Sequence, residues 1–323
     1  MTNQINFKKN NVLKLDWNEP TIQPSKKVLR AVKEFTSKGK LNHYPDLINS
    51  EFITLLASYS KVYKKNIQYF AGSDALQECI VKTFLGENDK VVLVSPTYDN
   101  FRSTAETSGA KTIHFFLKDN KKFDLNQFVD FISSIKPKAV YICNPNNPTG
   151  TDFSKTQLNF LFNKFKSTLF IIDEAYFEFY GKSISSSVKK FRNIIICRSF
   201  SKAFCLASFR IGYAIASSEL ITSLNKVRNP KSIPSLSQVA GIAALNDLTH
   251  TQEYVDEVRK AKIFFINEIK EIGNTKISLY EGHGNFILCK LNLIKVDELI
   301  NFLKNDKIYI RNLSHVNGLK NHM

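Results

Sequence analysis

Two serines precede a lysine in a segment whose residue types could bind a phosphate next to a reactive amine. Ser199 and Ser201 lead to Lys202, just after an apolar, β-rich run at 193–197, and Arg210 follows eight residues after the lysine. A lysine at the end of a buried strand loses water, which lowers its pKa and makes the neutral amine available as a nucleophile. Because two hydroxyls and a guanidinium can hold a phosphate beside it, the segment suggests pyridoxal 5'-phosphate (PLP). The ordinary alternative is a lysine that simply meets water after a strand.

Further polar positions could complete a PLP site, which needs a partner for the pyridine nitrogen, donors to the ring oxygen and an aromatic face. Asp173 ends an apolar run, where a lone carboxylate is costly and a protonated pyridine nitrogen would stabilise its charge. Tyr176 and Asn147 could donate to the ring oxygen, and Tyr98 could stack on the ring. Each also has a plainer interpretation, as a helix cap, a turn residue or a packed side chain.

A possible phosphate cup begins where Gly72 is followed by Ser73 and Asp74, at the predicted start of a helix. Free backbone N–H groups at a helix N-terminus bind phosphate. The Ser-Asp pair is equally suited to an ordinary helix N-cap, so both interpretations stay open at this position.

The elements that must position these residues follow a regular alternation of short apolar runs and amphipathic segments. This alternation predicts an α/β fold with a mainly parallel central sheet and helices on both faces. Ligands bind at the carboxyl ends of the strands in such sheets, and each polar cluster above follows a predicted strand. The predicted strands cover 67–70, 90–94, 111–117, 139–143, 168–172, 193–197 and 210–216.

The pattern changes after about residue 230, where long helical segments precede three strand-like runs at 276–280, 285–291 and 307–311. Helices and strands separated in this way predict a smaller α+β domain. We expect three regions: 1–30 as an N-terminal arm and part of the small domain, 31–230 as the large PLP-binding domain, and 231–323 as the small C-terminal domain.

Charge is the strongest departure from ordinary composition, with 45 Lys and Arg against 29 Asp and Glu and a formal net charge of +16. The lysines lie mostly singly or in pairs, without a long basic block or a nucleic-acid-binding motif. We therefore expect no nucleic-acid partner and attribute the charge to lysine-rich composition. Such an excess can still attract anionic small-molecule substrates.

Cysteine spacing and hydropathy set the expected compartment. No apolar run reaches the roughly 18 to 20 residues of a membrane span, and the N-terminus lacks the apolar centre of a signal peptide. We expect a cytoplasmic protein without a membrane partner or a metal. Five cysteines, far apart, fit buried reduced thiols better than a disulfide frame or a zinc site: Cys79, Cys143, Cys197, Cys205 and Cys289.

Seven short motifs in order give the sequence a family resemblance that runs from about residue 15 to the C-terminal end. The sequence resembles fold-type I PLP-dependent aminotransferases of class I and II, and within them the histidinol-phosphate aminotransferase branch. The motifs that carry the resemblance are YPD at 44–46, GSD at 72–74, PTY at 96–98, NPNNPTG at 144–150, DEAY at 173–176, SFSKA at 199–203 and RIGY at 210–213.

The resemblance implies a role for each matching residue. Lys202 would be the Schiff-base lysine and proton shuttle, Asp173 would pair with the pyridine nitrogen, and Tyr98 would stack on the ring. Tyr176 and Asn147 would bond the ring oxygen. The cofactor phosphate would be held by Ser73, Asp74, Ser199, Ser201 and Arg210, and by Tyr44 from the neighbouring subunit of a homodimer.

The resemblance also has implications for the substrate side of the site. The arm at 17–19 would cover the site, and Asn285 would face the substrate. The family carries a later Arg-Ile-Thr-type segment whose arginine grips the substrate, and this segment would follow residues 318–323. We expect that segment, and with it the end of the small domain, to be missing; Arg311 matches an earlier family arginine.

These observations predict a PLP-dependent aminotransferase that moves an amino group between histidinol phosphate, or a similar amine, and 2-oxoglutarate or glutamate. One alternative is a PLP-dependent decarboxylase of an amino-acid phosphate, since its cofactor residues would look the same. Another is a non-catalytic, truncated paralogue.

Overall fold

The computed structural model describes residues 12–118, 122–273 and 275–323. The strands are β1 (Leu13–Lys14), β2 (Ile67–Phe70), β3 (Lys90–Ser95), β4 (Lys111–Phe116), β5 (Ala139–Cys143), β6 (Leu169–Asp173), β7 (Ile194–Ser199), β8 (Gly212–Ala216), β9 (Ile277–Tyr280), β10 (Leu288–Leu291) and β11 (Ile308–Tyr309). The α-helices are α1 (Lys26–Lys38), α2 (Ser50–Ser60), α3 (Gly72–Phe84), α4 (Asn100–Thr107), α5 (Leu125–Ile135), α6 (Lys155–Lys164), α7 (Phe177–Tyr180), α8 (Ser218–Val227), α9 (Ser235–Leu245), α10 (Leu248–Ile272) and α11 (Val296–Asn305).

A seven-stranded sheet in the order β2-β8-β7-β6-β5-β3-β4 forms the centre of the fold. Strands β3 to β7 pair in parallel, whereas β8 runs antiparallel to both of its neighbours, β7 and β2. The predicted α/β class with a mainly parallel sheet is confirmed. The sequence pattern did not reveal the reversed direction of β8, because an apolar run looks the same in either direction.

Apolar side chains cover both faces of this sheet, which is why its inner strands read as continuous apolar runs. Along β5, Val140 and Ile142 belong to one buried cluster, while Tyr141 and Cys143 belong to the cluster on the opposite face. All five cysteines are buried free thiols. Burial on both sides fixes the strand ends relative to one another, and those ends carry the polar residues of the site.

Two small sheets lie outside the central one. The arm strand β1 pairs in parallel with β11, and β9 pairs antiparallel with β10. The N-terminal arm therefore packs with the C-terminal part of the chain, although the division at residues 30 and 230 stays a prediction. Within the described ranges, no helix combines the length and the apolarity that crossing a membrane requires. The cytoplasmic location also stays a prediction.

Candidate active site

Neighbouring strand ends bring the predicted residues to one edge of the sheet. The last residue of β6, Asp173, is the register partner of Cys143 in β5 and of Cys197 in β7. Asn147 lies in the loop after β5, and Lys202 lies in the turn after β7. Parallel pairing of β5, β6 and β7 thus gathers residues that are far apart in the sequence.

Asp173 is a buried carboxylate, only 3% exposed. Its Oδ2 accepts hydrogen bonds from Tyr141 Oη and from Gln77 Nε2, both at 2.9 Å, and its Oδ1 accepts from the backbone N–H of Ala175 at 3.0 Å. Burial raises the pKa of Asp173 to about 6, although these three donors oppose the shift. A carboxylate that has lost water to this extent fits a cationic partner, such as a protonated pyridine nitrogen.

Lys202 is held by the N-terminal arm. Its Nζ donates to the carbonyl oxygens of Trp17 at 3.1 Å and of Asn18 at 3.2 Å. Desolvation lowers the pKa of Lys202 to about 8, with a smaller lowering from Arg210 and an opposing effect from Glu19. The lowered pKa has the direction expected for Lys202 from the sequence, and it favours the neutral amine.

Tyr176 joins three of the segments that surround the lysine. Its hydroxyl oxygen accepts from Asn147 Nδ2 and from Asn18 Nδ2, both at 3.2 Å, and its ring lies 5.8 Å from Lys202 Nζ. Burial raises the pKa of Tyr176. The phenol therefore keeps its proton at neutral pH and can donate it to an acceptor in the site.

Tyr98 lies at the open side of the site with 40% of its surface exposed. Partial burial, and secondarily the carboxylates of Asp74 and Asp173, raise the pKa of Tyr98 to about 12. An exposed aromatic face close to both carboxylates suits a ring that stacks on a bound heterocycle.

Residues that the sequence predicts to bind the phosphate lie together where α3 begins, next to the turn before β8. Arg210 Nη2 lies 3.1 Å from Asp74 Oδ2, and Arg210 Nη1 lies 3.5 Å from Ser201 Oγ. Ser199 Oγ accepts from the backbone N–H of Ser201 at 3.0 Å. The backbone N–H groups at the start of α3, including that of Ser73, form the positive end of the helix dipole. These groups fit a phosphate.

Close backbone approach makes Gly212 a sensitive position in this cup. A Cβ at Gly212 would lie 2.4 Å from the carbonyl carbon of Gly72 and 2.5 Å from the backbone nitrogen of Ser73. We expect Gly212→Ala to push α3 away from β8 and to weaken PLP binding at least about tenfold, at a stability cost of about 1–3 kcal/mol. Equilibrium dialysis and urea denaturation measure the two effects.

Gly86→Ala is the matched control, since a Cβ there would approach nothing closer than 3.9 Å. Unchanged PLP affinity in Gly212→Ala would show that the start of α3 does not contact the phosphate.

Tyr44 and Asn285 are two further residues that the sequence predicts for the site. Tyr44 is 78% exposed and lies under Lys231, whose Nζ is 4.4 Å from the ring centroid. The side chain of Asn285 contacts the arm, because its Nδ2 donates to the carbonyl oxygen of Asn18 at 3.0 Å. Its buried Oδ1 has no hydrogen-bond partner among the residues that the structure describes. The covering arm predicted at 17–19 does lie over Lys202.

Two residues at the site were not found from the sequence, Tyr141 and Gln77, which hold Asp173. Asn18 belongs to the predicted covering arm, but its bond to Tyr176 was not predicted. A tyrosine hydroxyl inside an otherwise apolar strand is a weak signal for Tyr141. Gln77 gives no signal, because a glutamine in an amphipathic helix normally faces water.

A lysine and a buried aspartate at adjacent strand ends of a mainly parallel sheet, beside a helix start whose N–H groups could bind a phosphate, are typical of fold-type I PLP enzymes. Comparison with known proteins agrees with this class. The model of the family described as aminotransferase class I and II matches residues 10–317, and the chain belongs to this family. It is a PLP-dependent aminotransferase.

Two relatives and one solved structure illustrate the similarity. Dihydroxyacetone phosphate transaminase of Campylobacter jejuni is 44% identical over 96% of this chain and 85% of that protein. Histidinol-phosphate aminotransferase of Caldanaerobacter subterraneus is 31% identical over 95% of this chain and 86% of that protein. The crystal structure of histidinol-phosphate aminotransferase from Clostridium acetobutylicum has a TM-score of 0.88 and 26% identity, covering 96% of this chain and 92% of that one.

Proposed function

We propose that this aminotransferase exchanges an amino group between an amino-acid donor, glutamate, and a ketone that carries a phosphorylated hydroxymethyl group. The donor becomes a 2-oxo acid, and the ketone becomes a primary amine on the carbon next to the phosphate-bearing carbon. The observation that carries the proposal is the site itself, where a desolvated Lys202 and a buried Asp173 lie at adjacent strand ends.

The names of the relatives support this substrate class. Dihydroxyacetone phosphate is a ketone with a phosphorylated hydroxymethyl group, and histidinol phosphate is an amine with the same group on the neighbouring carbon. The two substrates share the reacting carbon and the phosphate but differ in the rest of the molecule. Dihydroxyacetone phosphate is the first compound to test, and histidinol phosphate is the second.

Bound PLP supplies the aldehyde that takes up the amino group and a ring that stabilises negative charge on the reacting carbon. We propose that Lys202 Nζ binds the cofactor and, once released, takes the proton from the substrate carbon that bears the amino group. Its lowered pKa favours this role, because a neutral amine is required for both tasks.

Asp173 would keep the pyridine nitrogen protonated, and Tyr176 with Asn147 would donate to the ring oxygen. Tyr98 would stack on the ring. The residues that we propose for the phosphate are Ser73, Asp74, Ser199, Ser201 and Arg210.

We also propose a homodimer in which Tyr44 of one protomer reaches the cofactor phosphate of its partner. The exposed position of Tyr44 supports this role. The neighbouring Ile48 is 71% exposed in the single chain. A subunit interface at this place would bury that apolar side chain.

A half-reaction panel tests the proposed substrates. PLP-loaded protein is mixed with glutamate, and the aminated enzyme is then treated with dihydroxyacetone phosphate, histidinol phosphate's ketone or unphosphorylated dihydroxyacetone. We expect glutamate to be converted to 2-oxoglutarate. We also expect kcat/KM for dihydroxyacetone phosphate to exceed that for dihydroxyacetone by about 100-fold, because hydrogen bonds to a charged group contribute up to about 3 kcal/mol.

Equal rates with and without the phosphate would contradict the proposed substrate class. Release of CO2 from an amino-acid phosphate, without 2-oxoglutarate formation, would instead show a decarboxylase. Failure to convert any amine would show a non-catalytic protein.

A further inference from the structure

A chain of side-chain hydrogen bonds connects Asp173 with the phosphate cup. Gln77, which is fully buried on α3, donates from Nε2 to Asp173 Oδ2 at 2.9 Å. Asn100, the first residue of α4, donates from Nδ2 to Gln77 Oε1 at 3.2 Å and to Asp74 Oδ1 at 3.4 Å. Asp74 also accepts from Arg210 at 3.1 Å.

The directions of these bonds are fixed by chemistry. An ionised carboxylate only accepts, so the amide nitrogen of Gln77 must face Asp173 and its oxygen must face away. Asn100 meets that oxygen and the carboxylate of Asp74, and both require a donor, so Asn100 must present its nitrogen to both. With the two amides oriented this way, each amide nitrogen donates to an acceptor, and the Gln77 oxygen meets a donor.

We propose that Gln77 is a positioning residue that holds Asp173 ionised and correctly oriented for the cofactor nitrogen, and that Asn100 fixes the orientation of Gln77. The inference rests on the role proposed above for Asp173. It predicts that the two ends of the cofactor site are coupled, because Asn100 bonds both Gln77 and the Asp74 carboxylate that pairs with Arg210.

Loss of the Gln77 amide should make the charge on Asp173 harder to maintain. A donor to a carboxylate favours its ionised form, so removing it raises the pKa of Asp173 further above its ordinary value. Affinity for PLP should then begin to fall at a higher pH, since the protonated acid cannot pair with a pyridinium. The other titratable groups that act on or face Asp173 are Asp74, Tyr98, Tyr141, Cys143, Tyr176 and Cys197.

The experiment measures the dissociation constant of PLP for Gln77→Met between pH 5 and pH 8 by equilibrium dialysis. We expect binding about tenfold weaker than wild type at neutral pH, as for loss of one hydrogen bond to a charged group. We also expect the pH at which affinity declines to move upward by about one unit. PLP's own titrations affect both proteins equally, and no substrate is needed.

Gln68→Met is the matched control. Gln68 is also a buried glutamine, 4% exposed, but it lies on β2, which β8 and β7 separate from β6, and it donates to the carbonyl oxygen of Tyr69. We expect this variant to keep the wild-type pH profile. Asn100→Ala keeps Gln77 but removes its orienting donor, so it should shift the profile in the same direction by a smaller amount.

An unchanged pH profile in Gln77→Met and Asn100→Ala would overturn the inference, and so would an equal shift in Gln68→Met. If Gln77→Met does not fold, the shift in Asn100→Ala decides. Asp173→Asn distinguishes the role of Gln77 from the role of Asp173. Weakened PLP binding in Asp173→Asn without an effect of Gln77→Met refutes only the role of Gln77. Unchanged binding in Asp173→Asn refutes the role of Asp173 and the inference together.

Discussion

Lys202→Ala is expected to lower kcat for amino transfer by at least about 10³-fold, because the same amine holds the cofactor and moves the proton. The variant should also lose the visible absorption band of lysine-bound PLP. Its fold should persist, since Lys202 bonds only to backbone carbonyl oxygens of the arm and makes no ion pair among the described residues. Stopped-flow measurement of the glutamate half-reaction provides the rate.

Lys262→Ala is the matched control for this prediction. Desolvation also lowers the pKa of Lys262 to about 8, yet its Nζ donates to the carbonyl oxygens of Gly282 and Gly284 rather than to the arm over the site. We expect this variant to keep the absorption band and most of the activity. A Lys202→Ala enzyme with nearly normal turnover would contradict the assignment of Lys202.

The same variant tests the proposed contribution of Tyr44 across a dimer. If Tyr44 acts on the partner's site, a mixed dimer of Lys202→Ala and Tyr44→Ala protomers contains one intact site. In that site one protomer supplies the wild-type Lys202 and the other supplies the wild-type Tyr44. Random mixing should then recover about a quarter of the wild-type activity. Recovery would not occur if Tyr44 served the site of its own protomer.

The second large effect concerns stability. Arg198 is 1% exposed, and its Nη2 lies 2.9 Å from an oxygen of Glu174, which is fully buried. The guanidinium also lies 3.7 Å from the centre of the Phe177 ring and bonds the hydroxyl of Tyr213 at 3.1 Å. Arg198→Met leaves Glu174 uncompensated, so we expect the free energy of unfolding to fall by about 3–5 kcal/mol in urea denaturation.

Arg192→Met is the control for this effect, because Arg192 pairs with Glu219 on the surface and its side chain is 74% exposed. Loss of an exposed pair should change stability by about 1 kcal/mol or less. Adding Glu174→Met to Arg198→Met removes the unpaired buried charge and should restore part of the loss. An Arg198→Met protein as stable as Arg192→Met would show that water reaches Glu174.

This buried pair also has a consequence for the site. Glu174 follows Asp173 directly, and the backbone N–H of Glu174 donates to the carbonyl oxygen of Cys197 at 2.8 Å. Anchoring Glu174 to Arg198 therefore helps to fix the end of β6 beside β7. Partial loss of PLP affinity in Arg198→Met would follow from movement of Asp173.

The sequence by itself determined the class of the central sheet and singled out the candidate cofactor residues of this protein. Apolar runs of strand length, separated by amphipathic helices, specify a sheet covered on both faces, and polar residues at the strand ends then mark the site. Lys202 and Asp173 stand out because a charged group beside a buried run is costly unless it has a partner.

Only the tertiary structure decided which residues support that site. Gln77 and Asp173 are 96 positions apart, and nothing in the local pattern of α3 indicates that this glutamine points into the protein. The same is true of Asn18, whose side chain reaches Tyr176 only because β1 pairs with β11 and brings the arm across Lys202. Local sequence reports the propensity of an element and its apolar face, whereas hydrogen bonds between distant elements depend on how those elements pack.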